Sequence, residues 1–443
     1  MREVLQQKII DSLATPVPQY TRRDVRLPKV AGKAKAVIGP RRGGKTTFLW
    51  QVLAERVAVG VPRSHLLYFN FEDERLADLR AADLHLLVDG YFALQPEARD
   101  RHQATFFLDE IQVVPGWEAF VRRLLDTERL EIFLSGSSAR LLSREVATSM
   151  RGRAMDVLVY PFSFREVLRH AGLEPAGAAK RWTKAERSVL DKALRTYLMG
   201  GGFPEAQGID ARDRFELLRG YVDTALFRDV VERHAVTHPT ALRWLVRHLL
   251  ANAGGVFSVA KFNSDLHSQG IPVAKDTLHA FLAHLEDAFL VRTVSIATDS
   301  ERRRMVNPRK AYPIDPGLIP VFDRSGKTNL GHALETAVPL QLDRRGAEVA
   351  YVRSGSGGRG SAQSDWEVDF LARFPDGRTH LIQVCADLHD PGTRAREYRA
   401  LECAGEEFRE ASRGIITLAS ELISDKPSGV QILPAIDWFL LAE

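Results

Sequence analysis

The chain has 443 residues, 45% hydrophobic and 27% charged, which excludes a mostly disordered or collagen-like protein and suggests about three domains at roughly 150 residues each. Sixty-one Lys and Arg against 57 Asp and Glu leave a net charge of +4, so any nucleic-acid surface must be a local patch. Two cysteines, Cys385 and Cys403, are too few for a disulfide framework or a Cys-built zinc site, the N-terminus is charged where a signal peptide needs an apolar core, and no apolar run approaches a membrane span. The expectation is a cytoplasmic protein with no membrane segment.

In chain order, residues 35–38, 66–71, 105–108 and 130–134 read as buried strands alternating with helical patterns. Trp117, Phe120, Val121, Leu124 and Leu125 follow the spacing of an amphipathic helix. Residues 1–165 are therefore expected to form an α/β unit with a parallel, helix-covered sheet. Residues 166–235 are helical in pattern, interrupted by Gly200-Gly201-Gly202-Phe203-Pro204, and read as a helical lid or connector. Over 236–310 a helix (259–269), a turn at Gly270-Ile271-Pro272, a second helix (275–285) and a β-like run (289–294) resemble a winged helix-turn-helix. Lys275, His279 and His284 of the second helix are offset by Asp276 and Glu286, so protein packing stands slightly ahead of base reading. Just beyond lies a basic cluster, Arg302, Arg303, Arg304, Arg309 and Lys310. In 311–443, β-like runs at 349–353 and 367–373 flank a Gly/Ser-rich loop.

The first strand runs into Gly39-Pro40-Arg41-Arg42-Gly43-Gly44-Lys45-Thr46, which meets G-x-x-x-x-G-K-[ST] at every required position, and Thr47 continues into a helix. Such a loop curls its N–H groups around a triphosphate, with Lys45 reaching the β- and γ-phosphates and the Thr46 hydroxyl binding Mg2+. ATP and Mg2+ are the expected ligands. The strand at 105–108 ends in Asp109, expected in the Mg2+ shell, and Glu110, expected to polarise the attacking water. Ser135 and Ser137 follow the next strand as alternative γ-phosphate sensors; turn chemistry alone would also select them. Arg153, favoured over Arg151, is the candidate for stabilising transition-state charge, in cis or from a neighbouring subunit.

With these motifs the chain resembles the prokaryotic AAA-type P-loop ATPases that carry a C-terminal domain of unknown function with a restriction-endonuclease-like fold. The resemblance also runs through YPIDPGL (312–318) and EVDFLARF (367–374), and its diagnostic stretches are Asp-Glu-Ile-Gln (109–112), Gly-Arg before Pro-Phe-Ser-Phe-Arg-Glu (161–166) and Gly-Gly-Phe-Pro-Glu (201–205). The resemblance implies a nuclease-like Mg2+ site of helix Glu335 and strand Asp369, but Gln383 and Cys385 stand where that fold carries Glu and Lys. A thiol cannot replace an ammonium beside a developing phosphate charge. This implies a degenerate site, in which Glu335 and Asp369 serve folding or docking, unless Lys310, Arg394 or Arg396 supplies the cation.

Three functions compete. The first is a Mg2+-dependent ATPase whose nucleotide state regulates binding of DNA or a protein partner. The second is an ATP-gated nuclease, and the third a low-turnover ATP-binding scaffold. The Asp109-Glu110 pair favours turnover over the scaffold.

Overall fold

The computed structural model describes residues 1–100, 103–136, 150–175, 182–306, 308–325, 329–354, 366–419 and 426–441. They divide into two compact units, Met1–Pro161 and Phe162–Glu443. No described helix is long and apolar enough to cross a membrane.

The first unit opens with α1 (Arg2–Ala14), then β1 (Ala34–Ile38), α2 (Lys45–Ala58), β2 (Leu66–Asn70), α3 (His85–Leu94), β3 (Ala104–Asp109), α4 (Trp117–Thr127), β4 (Leu130–Ser135) and β5 (Ala154–Leu158). All five strands are parallel, in the order β2-β3-β4-β1-β5. Every residue of β1 and β3 is buried, because helices cover both faces of such a sheet and leave no strand position for water. Helix α4 buries Trp117, Phe120, Val121 and Leu124, the stripe its spacing predicts. A core of Phe48, Leu49, Leu53, Phe107, Phe133 and Val157 joins α2 to the sheet, and Val17, Val25 and Leu27 of an extended N-terminal segment pack onto it. In a parallel sheet the strand ends share one edge. The loop after β1, Asp109 of β3 and Ser135 of β4 therefore meet at the carboxyl edge, where open α/β sheets bind ligands.

The second unit begins with α5 (Phe164–His170), α6 (Lys184–Gly200), α7 (Ala211–Ala225), a π-helical segment (Leu226–Glu232) and α8 (Pro239–Ala251). There follow β6 (Val256–Phe257), α9 (Val259–Ser268), α10 (Lys275–Asp287), β7 (Val291–Val294) and β8 (Arg309–Pro313), with β6-β8-β7 forming an antiparallel sheet. Beyond two short helices (Glu301–Val306 and Ile319–Phe322), the main elements that remain are α11 (Leu330–Arg344), β9 (Glu348–Arg353), β10 (Glu367–Arg373), β11 (Thr379–Val384), α12 (Pro391–Glu407), β12 (Ser412–Thr417), β13 (Val430–Pro434) and α13 (Ala435–Leu440). Its strands form a mixed sheet, β13-β12-β11-β10-β9, with α12 crossing between the parallel β11 and β12.

The expected boundary at 165 falls four residues beyond the division between the two units, whereas those at 235 and 310 do not separate independent cores. Phe164, Leu168, Leu198, Tyr312, Leu334, Phe370, Trp438 and Phe439 pack in one cluster, so the first and last helices of the unit share a core with the middle. Short helices and two- to five-residue strands bury too little to stand alone.

Two of the stretches that carry the resemblance meet inside this unit. The buried Asp315 carboxylate accepts from the Gly202 N–H at 2.7 Å and the Gly317 N–H at 2.9 Å. Gly201 has φ +76°, and a Cβ there would collide with the Asp315 carboxylate; one on Gly202 would strike the Phe162 carbonyl. Burial pushes Asp315 up to about 6, against the pull of its two N–H donors. A carboxyl whose pKa is higher folded than unfolded contributes stability that is full below about pH 4 and lost as the pH rises through about 6, here ~3 kcal/mol. Asp315→Asn is therefore predicted to flatten the fall in unfolding free energy between pH 4 and 6.5, measured by urea denaturation. Gly201→Ala should cost about 2 kcal/mol or more in the same assay.

Candidate functional site

The loop between β1 and α2 lies against the backbone that follows β5. The Val159 N–H donates to the Ile38 carbonyl at 2.7 Å, and a Cβ on Gly39 would collide with the Val159 carbonyl. On Gly43 it would lie 3.0 Å from the Pro40 carbonyl oxygen. Arg42 (φ 60°) and Gly44 (φ 96°) adopt the left-handed conformation that turns the loop into α2. Lys45 is buried, and its ammonium donates to the carbonyls of Gly39 at 3.0 Å and Pro40 at 2.8 Å. Thr46 and Thr47 remain exposed at the first turn of α2. The orphan N–H groups of that turn and the helix dipole favour an anion here.

At the end of β3, the fully buried Asp109 carboxylate collects three hydroxyl donors. Oδ2 accepts from Thr46 at 2.9 Å and from Tyr68 of β2 at 2.6 Å, while Oδ1 accepts from Ser135 of β4. Tyr68 packs on Trp50 with ring centroids 4.4 Å apart, and burial and the Asp109 charge push its phenol well above the usual range. Glu110 is left-handed (φ 54°), which turns its side chain out of the strand direction, and the Gln112 amide donates to its carboxylate. Ile111 between them is fully buried. The motif Asp-Glu-Ile-Gln thus has a local logic: an acid on the hydroxyl cluster, an acid presented by a turned backbone, an apolar anchor, and an amide that orients the second acid. Tyr68 and Gln112 escaped the reading of the sequence. Gln112 was inside a quoted motif, but nothing local marks a strand tyrosine as a partner of an acid 41 residues away.

Ser135 is fully buried with its hydroxyl given to Asp109, at the edge expected of a sensor but turned toward the acid. Ser137 lies outside the described residues. Arg153 requires a correction. It precedes β5, whose first residue pairs with the first residue of β1, and so sits at the opposite edge of the sheet from the phosphate loop. Five strand residues at roughly 3.3 Å each put about 16 Å between the edges. Arg153 pairs there with Asp126 of α4, so it does not serve the loop of its own chain. Arg151, in the same turn, shares that edge.

Residues 31–168 match the model of a family described as an AAA domain, and residues 191–328 a family described as a domain of unknown function, DUF8612. Over 451 aligned residues the chain is 31% identical to MJ1544, an uncharacterised protein of Methanocaldococcus jannaschii, spanning 99% of this chain and 95% of that protein. The chain belongs to the MJ1544 family and carries an AAA domain of the P-loop ATPase type. An uncharacterised protein of Haemophilus influenzae is 26% identical, spanning 92% of this chain and 94% of its own length. Among solved structures, the Walker-type ATPase PABY2304 of Pyrococcus abyssi is similar with 16% identity and a TM-score of 0.40, covering 73% of this chain and 95% of that one.

Outside the AAA domain, the structure brings Glu335 and Asp369 together around Lys310. The Lys310 ammonium lies 2.9 Å from Asp369, 2.9 Å from Glu367 and 3.3 Å from Glu335. Burial works against its charge, yet these carboxylates hold it well above the usual lysine value. Tyr312 donates to Glu335 at 2.9 Å, and burial together with Asp369 pushes the Glu335 carboxyl up. Gln383 accepts from the Asp369 N–H at 3.2 Å and donates to Glu397, so both ends of its amide are used. Cys385 donates to the Asp387 carbonyl at 3.0 Å, and burial pushes its thiol up to about 11, which leaves it neutral. A cavity of about 560 Å3 opens on this cluster, lined also by Arg353, Trp366, Arg396 and Arg399. Among the described residues no three His, Cys, Asp or Glu side chains are grouped to hold a metal ion.

Lys310 therefore leaves the basic cluster expected after the winged-helix pattern. Arg304 pairs with Glu301 and Glu348, and Arg309 with Glu286, while Arg302 and Arg303 remain exposed. Removing the central cation strands buried carboxylates. Lys310→Met is predicted to destabilise the protein by about 3–5 kcal/mol, and Lys310→Met with Asp369→Asn by less than the single change, both read by urea denaturation.

Proposed function

We propose that this protein is a Mg2+-dependent ATPase that acts as a nucleotide-driven switch. The observation that carries the reading is Asp109: a buried carboxylate at the carboxyl edge of the sheet, hydrogen-bonded to the loop's own Thr46, with Glu110 turned out beside it. Thr46 and Asp109 fit the first shell of Mg2+, which when bound supplies charge neutralisation for the β- and γ-phosphates. Lys45, moving from the Gly39 and Pro40 carbonyls, takes the same phosphates, and the backbone of Gly39 to Thr47 with Arg41 and Arg42 surrounds them. Glu110, oriented by Gln112, takes a proton from the attacking water. Ser135 keeps Asp109 in one rotamer, which leaves Ser137 as the candidate sensor. An arginine from a neighbouring subunit completes the charge balance, Arg153 being the candidate for that role in trans.

The output of the switch is binding of DNA or a protein through the second unit. Its support is the order β6, α9, α10, β7, β8 with an antiparallel β6-β8-β7 sheet, the arrangement of a winged helix. Arg302 and Arg303 add two exposed cations, while the exposed face of α10 mixes Lys275 with Asp276.

A second reading, an ATP-gated nuclease built on an endonuclease-like C-terminal sheet, is favoured by one observation. Lys310 brings to Asp369 and Glu335 the ammonium that Cys385 does not supply. Against it stands the committed amide of Gln383, a neutral group where that fold carries a glutamate. We therefore read this site as one that folds or docks.

Lys45→Ala should abolish ATP binding, measured by titration of a fluorescent analogue. Glu110→Gln should bind ATP normally and lose turnover by about 10²-fold or more, with Gln112→Ala between it and wild type. Turnover retained in Glu110→Gln sinks the assignment, and wild-type binding without turnover promotes the scaffold. If DNA is the partner, affinity should fall steeply with salt, and replacing Arg302 and Arg303 should lower the log–log slope by about 2. Supercoiled plasmid should stay intact with Mg2+ or Mn2+; nicking lost in Asp369→Ala would promote the nuclease.

A further inference from the structure

The N-terminal segment that precedes the matched AAA domain reaches the phosphate loop at Arg23. Arg23 is only 4% exposed, rare for an arginine, and its guanidinium is turned onto backbone carbonyls. Its backbone is read from both sides by one amide. The Arg23 N–H donates to Gln51 Oε1 at 2.6 Å, and Gln51 Nε2 donates to the Arg23 carbonyl at 3.0 Å. Gln51, itself 3% exposed, belongs to α2, the helix that starts at Lys45. Thus held, the guanidinium donates Nη1 to the Gly43 carbonyl at 2.9 Å and Nη2 to the Tyr160 carbonyl.

The Gly43 carbonyl shares a peptide plane with the Gly44 N–H. That peptide is trans, like all described ones, so the two groups point in opposite directions. Anchoring the carbonyl on Arg23 aims the N–H away from Arg23. Gly44 has no Cβ to hold its left-handed backbone, and a glycine peptide left free rotates readily. The second contact, on Tyr160, braces the loop against the same backbone that leaves no room for a Cβ on Gly39.

We propose that Arg23 is a positioning residue of the phosphate loop, which presets the Gly43–Gly44 peptide so that its N–H faces a bound polyphosphate, and that the N-terminal segment is thereby part of the nucleotide site. The proposal rests on the reading of the loop as an ATP site. Because coupling between sites is reciprocal, a segment that tightens nucleotide binding must itself be tightened by nucleotide.

The test compares ATP affinity in wild type, Arg23→Lys, Arg23→Gln, Arg23→Ala and Lys45→Ala, with thermal melting of each nucleotide-free protein to establish folding. Arg23→Gln should bind ATP about 10-fold or more weakly, and Arg23→Lys in between, because an ammonium lacks the fork that spans two carbonyls. Millimolar methylguanidinium should restore affinity to Arg23→Ala and leave wild type unchanged. Hydrogen exchange on the wild type supplies the arm that needs no variant: ATP with Mg2+ should slow exchange in residues 15–33 as well as in 39–47. A folded Arg23→Gln that binds ATP within twofold of wild type, while Lys45→Ala does not bind, overturns the role of Arg23 alone. Protection confined to 39–47 does the same. Binding retained in Lys45→Ala instead overturns the ATP reading of the loop.

Discussion

A single buried carboxylate organises the first unit's working edge. Asp109 is satisfied by hydroxyls from α2, β2 and β4. Each donor comes from a different element, so the acid is satisfied only when the strand order and register are those observed. That dependence ties fold to chemistry. If β2 or β4 slipped by one residue, Tyr68 or Ser135 would face the other side of the sheet and a buried charge would lose a partner. The same hydroxyls hold the acid in one rotamer beside the first turn of α2, and the sharp backbone turn at Glu110 follows at once.

The second unit solves a comparable problem with the opposite sign. Three carboxylates and a tyrosine converge, and here the balance comes from Lys310, delivered from a different sheet. A buried ammonium among acids is weak evidence for stability as such, but it is strong as a geometric constraint, because removing either sign leaves the other uncompensated. It ties the small β6-β8-β7 sheet to α11 and β10, as the shared apolar core does by area. The Gly201–Asp315 contact acts likewise on the helical segment. Two polar devices thus accompany the shared core, and the unit does not come apart at the boundaries at 235 and 310 that composition suggests.

Much of this was legible in the sequence where the signal is local. The phosphate loop is contiguous, and a strand running directly into Gly39 and a helix directly out of Thr47 leave little room for another reading. The four buried strands were found within a residue or two because both-face burial makes continuous apolar runs. Glu335, Asp369 and Gln383 were placed through a family pattern, and the structure does bring them to one cavity. What failed to show was long-range. Arg153 follows the sensor-like strand closely in sequence, yet it sits before a strand rather than after one, and only the parallel register reveals that this means the far edge. Lys310 looked like one more member of a basic run, although β8 buries every residue after Arg309, Lys310 included. Strands β12 and β13 and the role of Tyr68 depend on partners far away in the chain.

The tight seam between the phosphate loop and Val159 has a mechanical meaning. With a hydrogen bond from the Val159 N–H to the Ile38 carbonyl, and no room for even a methyl group at Gly39, the loop and the chain leaving β5 are in hard contact rather than joined by compressible side chains. Displacement of one by a few tenths of an ångström must be taken up by the other. Val159 and Tyr160 are the last residues before Pro161, where the first unit ends. The exit of the polypeptide is therefore a stiff pushrod seated on the ligand loop, so strain developed at the phosphates would travel along the main chain itself, without needing a relay of side chains.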